Sequence, residues 1–591
     1  FFDYQLNWMY WRYFMWNFVG RQNDIHSPTP GDIFYGNWES GIKFIDDFRL
    51  GNQENAPALL KDNKAKNHYF FLPLLLGILG LCFQFIRDKR GSWLTFLMFF
   101  MTGIAIVIYL NQPPFQVRER DYAYAGSFYF FSIWCGLGLA AVYQWIEDAR
   151  KGRSLSLPLT AALTIVCLGV PTLMAAQNWD DHDRSGRKTA AEIGYNYLNS
   201  TGPQGILITH GDNDTFPLWY DQEVEGVRPD VRVVNTSLLG TDWHIDQMKW
   251  ACNDSKPLPL QVDKKQYLYG TNEYIYIIDN RNTVMSISDV MTLFRHPQVK
   301  VATSSGRRVD YIASRKIAVP VNKENCLKYG IVAPEYAAQI PDSIVLEISP
   351  DKDYLDKPEL FMLDLLSGYQ WDRPINMLNY GGELNIGIKD YLEFQGYSYK
   401  FIPIKNRPSS LNPGFVQTEE LYRLMTEVYK WDALASDDYF IDYQNYYTFL
   451  GVMPVRGMFS NCAEAFMKDG MNDRALEMLD KCQEVMHRYP LCAIPIGFSG
   501  NDYMVVRMVE QYYKLGEPAK AQALALGMGE ELLDAAKFYL EYYDYAKSDF
   551  ELCANYLYFL SDALKEGGDA ELGEKLTKSL TDIVHSAFPT E

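Results

Sequence analysis

Four stretches decide how this chain is read: YFFLPLLLGILGLCFQFI at 69–86, WLTFLMFFMTGIAIVIYL at 93–110, GSFYFFSIWCGLGLAAVYQWI at 126–146 and LPLTAALTIVCLGVPTLMAA at 157–176. None contains an Asp, Glu, Lys or Arg. A hydrocarbon core needs about 20 apolar residues in a helix, and a charge at its centre is costly. The pattern predicts four transmembrane helices over 69–176. Buried hairpins of a large soluble protein would rarely confine every charge to the gaps.

Those gaps set an expected orientation. Arg87-Asp88-Lys89-Arg90 separates the first two stretches, and the basic run Arg150-Lys151-Gly152-Arg153 follows the third. Short basic loops stay cytoplasmic, so residues 1–68, the loop 111–125 and everything after Gln177 are expected on the far side. Tyr69, Phe70, Phe71, Trp93 and Trp145 stand where interfacial aromatic belts form.

At 591 residues and 48% hydrophobic, the chain has room for a membrane unit and two or three further domains. A polar C-terminal part dilutes the mean hydropathy to −0.21. The net charge of −19 argues against a nucleic-acid partner and against a polybasic lipid-surface anchor. Nine cysteines show no CxxC pair, and Cys82, Cys135 and Cys167 lie inside apolar stretches; neither a metal site nor a disulfide framework is predicted, and no cofactor is expected. The opening Phe1-Phe2-Asp3-Tyr4 has no initiator Met and no signal-like run, which leads us to expect a longer polypeptide with further helices upstream.

Residues 1–20 are dense in Trp, Tyr and Phe yet interrupted by Asp3, Asn7, Arg12 and Asn17, a pattern suited to an interfacial helix. In the loop Asn111–Tyr122, Arg118 and Arg120 stand close to the bilayer on the disfavoured side, beside Tyr122 and Tyr124. Their guanidinium groups suit a lipid phosphate or pyrophosphate. The alternative is a local balance of Arg118 with Asp121 or of Arg120 with Glu119.

Beyond Gln177, helix and strand patterns alternate: helices at Thr189–Leu198, Phe216–Glu225 and Thr241–Trp250, strands at Gly205–His210 and Val231–Asn235. Further strands are expected at Tyr274–Ile278, Ser343–Ile348 and Tyr399–Ile404, with a helix near Pro358–Leu366. This order predicts a mostly parallel, Rossmann-like α/β domain within 177–410, carrying a hairpin-rich insertion around 255–340. Its first strand ends in His210-Gly211-Asp212-Asn213-Asp214-Thr215, at the strand end where open α/β sheets bind ligands. Asp212 and Asp214 suit a divalent cation, but Asp and Asn are also the usual residues where a strand hands over to a helix, and the favoured reading is a cap with Asp214 or Thr215 as N-cap. No GxGxxG or GxxxxGK[ST] accompanies them. Within 411–591 the pattern is helical; Ala463, Phe466, Gly470, Ala475, Leu479 and Cys482 match a tetratricopeptide-like unit ended by Pro490, with a looser copy through Tyr512, Gly516, Pro518 and Ala521.

The strings Trp11–Asp24, Gly211–Trp219, Gln222–Val227 and Val231–Asn235 together resemble the large membrane proteins of Bacteroidetes-type bacteria that carry domain-of-unknown-function family 2723, grouped with glycosyltransferase family 117 and related to protein O-mannosyltransferases. The resemblance covers the whole chain as a C-terminal portion. It implies a multi-pass inner-membrane enzyme, with its C-terminal domains periplasmic, that moves a sugar from a polyprenyl-phosphate carrier to an acceptor, expected to be a protein Ser or Thr. The family's acidic catalytic residues belong to an upstream outer loop, so none is carried onto this sequence. A different class is a membrane-anchored binding or scaffold protein whose α/β and helical-repeat domains capture a partner.

Overall fold

A computed structural model of the chain describes all residues except 27–29, 115–118, 280–281, 303–305, 380–383, 440, 442–453, 493–500 and 589–591. Three of its helical segments are long and apolar enough to cross a membrane: Lys89–Leu110, Asp121–Ala149 and Leu157–His182. The aromatic N-terminal segment runs as a π-helical stretch, Phe2–Trp11, into α1 (Arg12–Phe18). The first apolar stretch forms α2 (Leu72–Arg87), which at 16 residues is about 24 Å long and shorter than expected for the first of four spans. Its start is displaced because Phe70 and Phe71 take left-handed backbone angles, φ 52° and 59°, outside any helix.

The second stretch is broken into α3 (Lys89–Met101) and α4 (Ile104–Leu110). Gly103 marks the break, where a side chain would meet Tyr10 at 2.8 Å and the Ser127 hydroxyl at 2.5 Å. The third gives α5 (Ala125–Ala149) and the fourth α6 (Leu157–His182). Helices α2 and α5 pack backbone to backbone: a Cβ on Gly80 would lie 1.8 Å from the Trp134 carbonyl oxygen, and one on Gly138 2.3 Å from that of Leu76. Where water is absent, such small-residue seams bring helices close enough for dispersion and weak hydrogen bonds. No residue in the apolar window of α6 is buried, as a lipid-facing helix requires.

Residues before α2, between α4 and α5 and after α6 meet at one end of these helices, here termed the collar. Gln5 Nε2 donates to the Gln112 carbonyl at 2.5 Å, β1 (Gly20–Arg21) pairs antiparallel with β2 (Asn67–His68), and the His68 N–H donates to Gln177 Oε1 at 2.6 Å. The aromatic segment therefore lies across the helix mouths: Tyr10 bonds Ser127 at 2.6 Å, and Phe14 and Phe18 pack on Phe131. Both basic turns sit at the opposite end, joined by an Arg87–Asp148 contact of 3.7 Å.

Past the collar, α7 (Thr189–Asn199) and α8 (Asp212–Glu223) flank a five-stranded sheet. Its strands are β3 (Ile206–Thr209), β4 (Arg232–Asn235), β5 (Ile375–Met377), β6 (Leu392–Phe394) and β7 (Tyr399–Phe401), in the order β6-β7-β5-β3-β4. Strands β4, β3 and β5 run parallel. The sheet is mixed rather than mostly parallel, because β6 and β7 are joined by the turn Gln395–Ser398, too short for a crossover. The strands expected at 274–278 and 343–348 also stand elsewhere: Ile275–Ile277 and Ser343–Glu347 belong to two small three-stranded sheets inserted between β4 and β5. These sheets and α9 (Lys357–Gly368), which opens on an Asp356/Glu359 capping box, share one apolar core with β3 and β5.

The C-terminal part comprises, among the described residues beyond 453, α10 (Pro454–Lys468), α11 (Asn472–Val485), α12 (Asn501–Lys514), α13 (Pro518–Glu541), α14 (Tyr543–Glu566) and α15 (Ala570–Ala587). Ala463, Phe466, Ala475, Leu479 and Cys482 are all fully buried there. This core continues into the collar loop: the Phe34 ring lies 5.3 Å from Phe538, and Tyr35 bonds Tyr539 at 2.9 Å.

Candidate functional site

The most heavily built polar cluster of the collar is centred on Glu119. Trp8, Arg12 and Trp16 recur every four residues, so the Arg12 guanidinium is held over both indoles, 4.1 and 4.7 Å from their centres, and over Tyr13 at 4.4 Å. Its nitrogens donate to the Trp8 carbonyl at 3.1 Å, to the Gly36 carbonyl at 2.8 Å and, as a fork, to Glu119 at 2.8 and 3.2 Å. Gly36, at φ 59°, admits this approach, since its Cβ would stand 3.0 Å from the guanidinium. His26 Nδ1 lies 3.2 Å from the other face of Glu119, and the Tyr13 hydroxyl donates to it as well.

Burial by itself would raise the Glu119 carboxyl; Arg12 and His26 reverse that and hold it well below the usual carboxylate range. Burial, followed by the Glu119 charge, pushes the Tyr13 phenol well up, so Tyr13 stays a donor at physiological pH. The Arg120 N–H donates to the same phenol oxygen at 3.1 Å. The loop is thereby clamped to the aromatic helix immediately before Arg120.

Arg118 lies outside the described residues. Arg120 does not balance Glu119, whose oxygens are committed to Arg12, His26 and Tyr13. Its Nη1 donates to the Tyr122 hydroxyl at 2.7 Å, its Nε is buried without a hydrogen-bond partner, and it forms no ion pair among the described residues. A guanidinium with donors to spare, at the end of the apolar helices, can fork onto phosphate oxygens. Sequence reading treated Arg12 only as an interruption of the aromatic segment; the i, i+4 spacing Trp8–Arg12–Trp16 was the local signal of its role. His26 and Glu119 carried no such signal, because Glu119 meets Arg12 across 107 residues of chain and His26 from another distant segment.

The loop after β3 is arranged differently. Asp214 accepts the His210 N–H at 2.8 Å with one oxygen and the Gly211 N–H at 2.8 Å with the other. Asp212 is the exposed first residue of α8. His210 Nδ1 faces the Thr236 hydroxyl at 3.3 Å, and Asn235 ties the Gly211 carbonyl to Thr215. Gly211, not Asp214 or Thr215, is therefore the N-cap of α8, which starts at Asp212; Asp214 is its third residue and reaches back to the Gly211 and His210 N–H groups, and no group of three His, Cys, Asp or Glu able to hold a metal ion occurs among the described residues.

No curated protein and no solved structure matches this chain. Residues 190–420, fewer than half of the 591 and spanning the five-stranded sheet with its insertions, match the family model described as TMEM260-associated domain 2.

Proposed function

We propose that the chain is part of a membrane glycosyltransferase that moves a sugar from a polyprenyl-phosphate carrier to an acceptor hydroxyl, with Arg120 holding the phosphate that leaves. The observation that carries this reading is the Arg120 guanidinium: it forms no ion pair among the described residues and stands at the mouth of the apolar helices, on a loop fastened by the Arg12–Glu119 pair. The match to TMEM260-associated domain 2 supports a membrane context, and the Trp11–Asp24 string behind the family 2723 resemblance supplies Arg12 itself. In this reading the collar faces the periplasm of a bacterial inner membrane and the basic turns at Arg87–Arg90 and Arg150–Arg153 face the cytoplasm. Four helices form the bundle, α2 spanning a thinned bilayer. The mixed sheet is a Rossmann-like platform, and α10–α15 are tetratricopeptide-like repeats that present a protein acceptor.

Positive charge aimed at a departing phosphate acts in the transition state, and loss of one such donor costs about 10²–10³ in rate. The test is sugar transfer from defined polyprenyl-phosphate donors by the full-length protein. Arg120→Ala is expected to lower kcat/KM about a hundredfold and Arg120→Lys to recover only part of it. Unchanged transfer in Arg120→Ala refutes the assignment.

A second reading, a membrane-anchored scaffold, draws on a groove of about 600 Å³ between α11, α12 and α13, lined by Asp480, His487, Tyr512, Lys520 and Glu531. Stacked helical pairs take peptides in such grooves. A protein inactive in transfer with every donor, yet retaining a peptide there, would favour it.

A further inference from the structure

The apolar run of α6, Leu157–Ala176, is 20 residues and about 30 Å long, the thickness of a hydrocarbon core. Gln177 onward therefore stands at the depth of lipid phosphates. At that level a groove of about 630 Å³ opens between the end of α6 and the segment 61–68, lined by Lys61, Lys64, Lys66, His68, Gln177 and Trp179. Two acids, Asp62 and Asp180, share the lining, and Glu39 beneath it holds Lys66 at 3.4 Å and His68 at 3.2 Å. Lys61 has no carboxylate partner among the described residues. Gln177 accepts the His68 N–H through its oxygen, which leaves its amide N–H₂ to donate into the groove, and the Trp179 side chain is 73% exposed beside it. The Asn67–Asn178 hydrogen bond of 3.2 Å and the Asn178–Tyr69 hydrogen bond of 2.6 Å fix the two walls against each other.

We propose that this groove binds the phosphate of an anionic membrane-lipid head group, with Lys61 and Lys64 as the main cations, the Gln177 amide as a neutral donor and the Trp179 indole at the interfacial level. The chain as a whole is acidic, so this is a local site on one short segment and not a polybasic surface. Ammonium groups are strong point-charge partners for phosphate, and indoles settle at the same depth of the bilayer. The inference does not rest on the transferase reading: the groove is lined by the segment before α2 and by the end of α6, not by the Arg120 loop.

The test uses the full chain in a neutral maltoside detergent, with bound lipid counted by native mass spectrometry. Phosphatidylglycerol, phosphatidylcholine and inorganic phosphate are each titrated. Phosphatidylglycerol is expected to bind in preference to phosphatidylcholine. Lys61→Gln combined with Lys64→Gln weakens its retention about 25-fold, about fivefold for each lysine. Arginine at both positions retains the lipid, which separates loss of charge from loss of fold. Arg120→Ala leaves the retained lipid in place, so a failure here is distinguishable from a failure at Arg120. Equal retention by the glutamine variant, equal binding of phosphatidylcholine, or displacement of the lipid by millimolar inorganic phosphate would overturn the proposal, the last by assigning the groove to a soluble phosphoanion.

Discussion

Glu119 and Asp221 are both carboxyls largely shut away from water, and they end in opposite states. Glu119, in the collar, is forked by Arg12, faced by His26 and bonded by Tyr13. Asp221, on α8, is 1% exposed and pressed against Gly194, whose Cβ would come within 2.2 Å of Oδ2; that oxygen has no hydrogen-bond partner among the described residues. Burial first and the Glu225 charge second push Asp221 up to about 7, with Lys430 too weak to offset them. Burial thus sets a raised baseline for any carboxyl, and at Glu119 cations held at hydrogen-bond range reverse it.

The comparison breaks most visibly at Glu119. Glu119→Gln leaves the buried Arg12 without a counter-charge and is expected to cost about 3–5 kcal/mol in unfolding of the detergent-solubilised chain. Because the folded carboxyl titrates below its unfolded value, its contribution is complete above about pH 4.3 and is lost as pH falls from there. The parent should lose stability on acidification while the Gln variant shows a shallower decline. Joint replacement, Arg12→Met with Glu119→Leu, should recover much of the loss; a single variant as stable as the parent would show that the pair holds nothing.

Asp221 should give the opposite slope. Its raised value means that the folded state keeps the proton, so its stability contribution is full below about pH 4 and disappears as pH rises through about 7. Asp221→Asn should be neutral near pH 4 and stabilising by about 2 kcal/mol at pH 8. Matching slopes for the two variants would mean that burial alone governs both sites.

A smaller effect separates capping from ligand binding after β3. Asp214→Ala removes the acceptor of two backbone N–H groups and should cost about 1 kcal/mol, while Asp212→Ala, at an exposed position, stays within about 0.5 kcal/mol. If added divalent cations raised the melting temperature of the parent and not of Asp214→Ala, the capping assignment would fail.

What the sequence disclosed followed the range of the interaction. Asp214 bonds backbone N–H groups three and four residues away, so residue type marked it as a capping side chain, while the N-cap itself, Gly211, has no side chain to read. The apolar runs were legible because lack of charge over some 20 residues has few other causes. The shortening of α2 was not legible: Phe70 donates its N–H to the Ser40 carbonyl at 3.0 Å, and that contact 30 residues away selects the left-handed turn. Neither the Arg12–Glu119 pair nor the antiparallel turn of β6 and β7 has a periodic signature. The aromatic segment, by contrast, reads as interfacial and lies across the helix mouths.

The smallest stability effect is expected at Arg120, and its smallness is what makes it informative. Arg12 and Arg120 belong to the same cluster and bear the same charge, yet Arg12 is 3% exposed with all three guanidinium nitrogens donating, whereas among the described residues Arg120 donates from its side chain only to the exposed Tyr122 hydroxyl. Arg12→Ala strips the charge partner of a buried carboxylate and should cost several kcal/mol. Arg120→Ala should shift unfolding by about 0.5 kcal/mol or less, because its backbone N–H, which donates to Tyr13, survives the substitution. Removal of Arg120 without loss of fold would be consistent with the phosphate-holding role proposed for it, since its side chain would then not be a fastening of the loop. Should Arg120→Ala prove as costly as Arg12→Ala, Arg120 is a second fastening of the loop, and the phosphate it was assigned to hold must be held elsewhere.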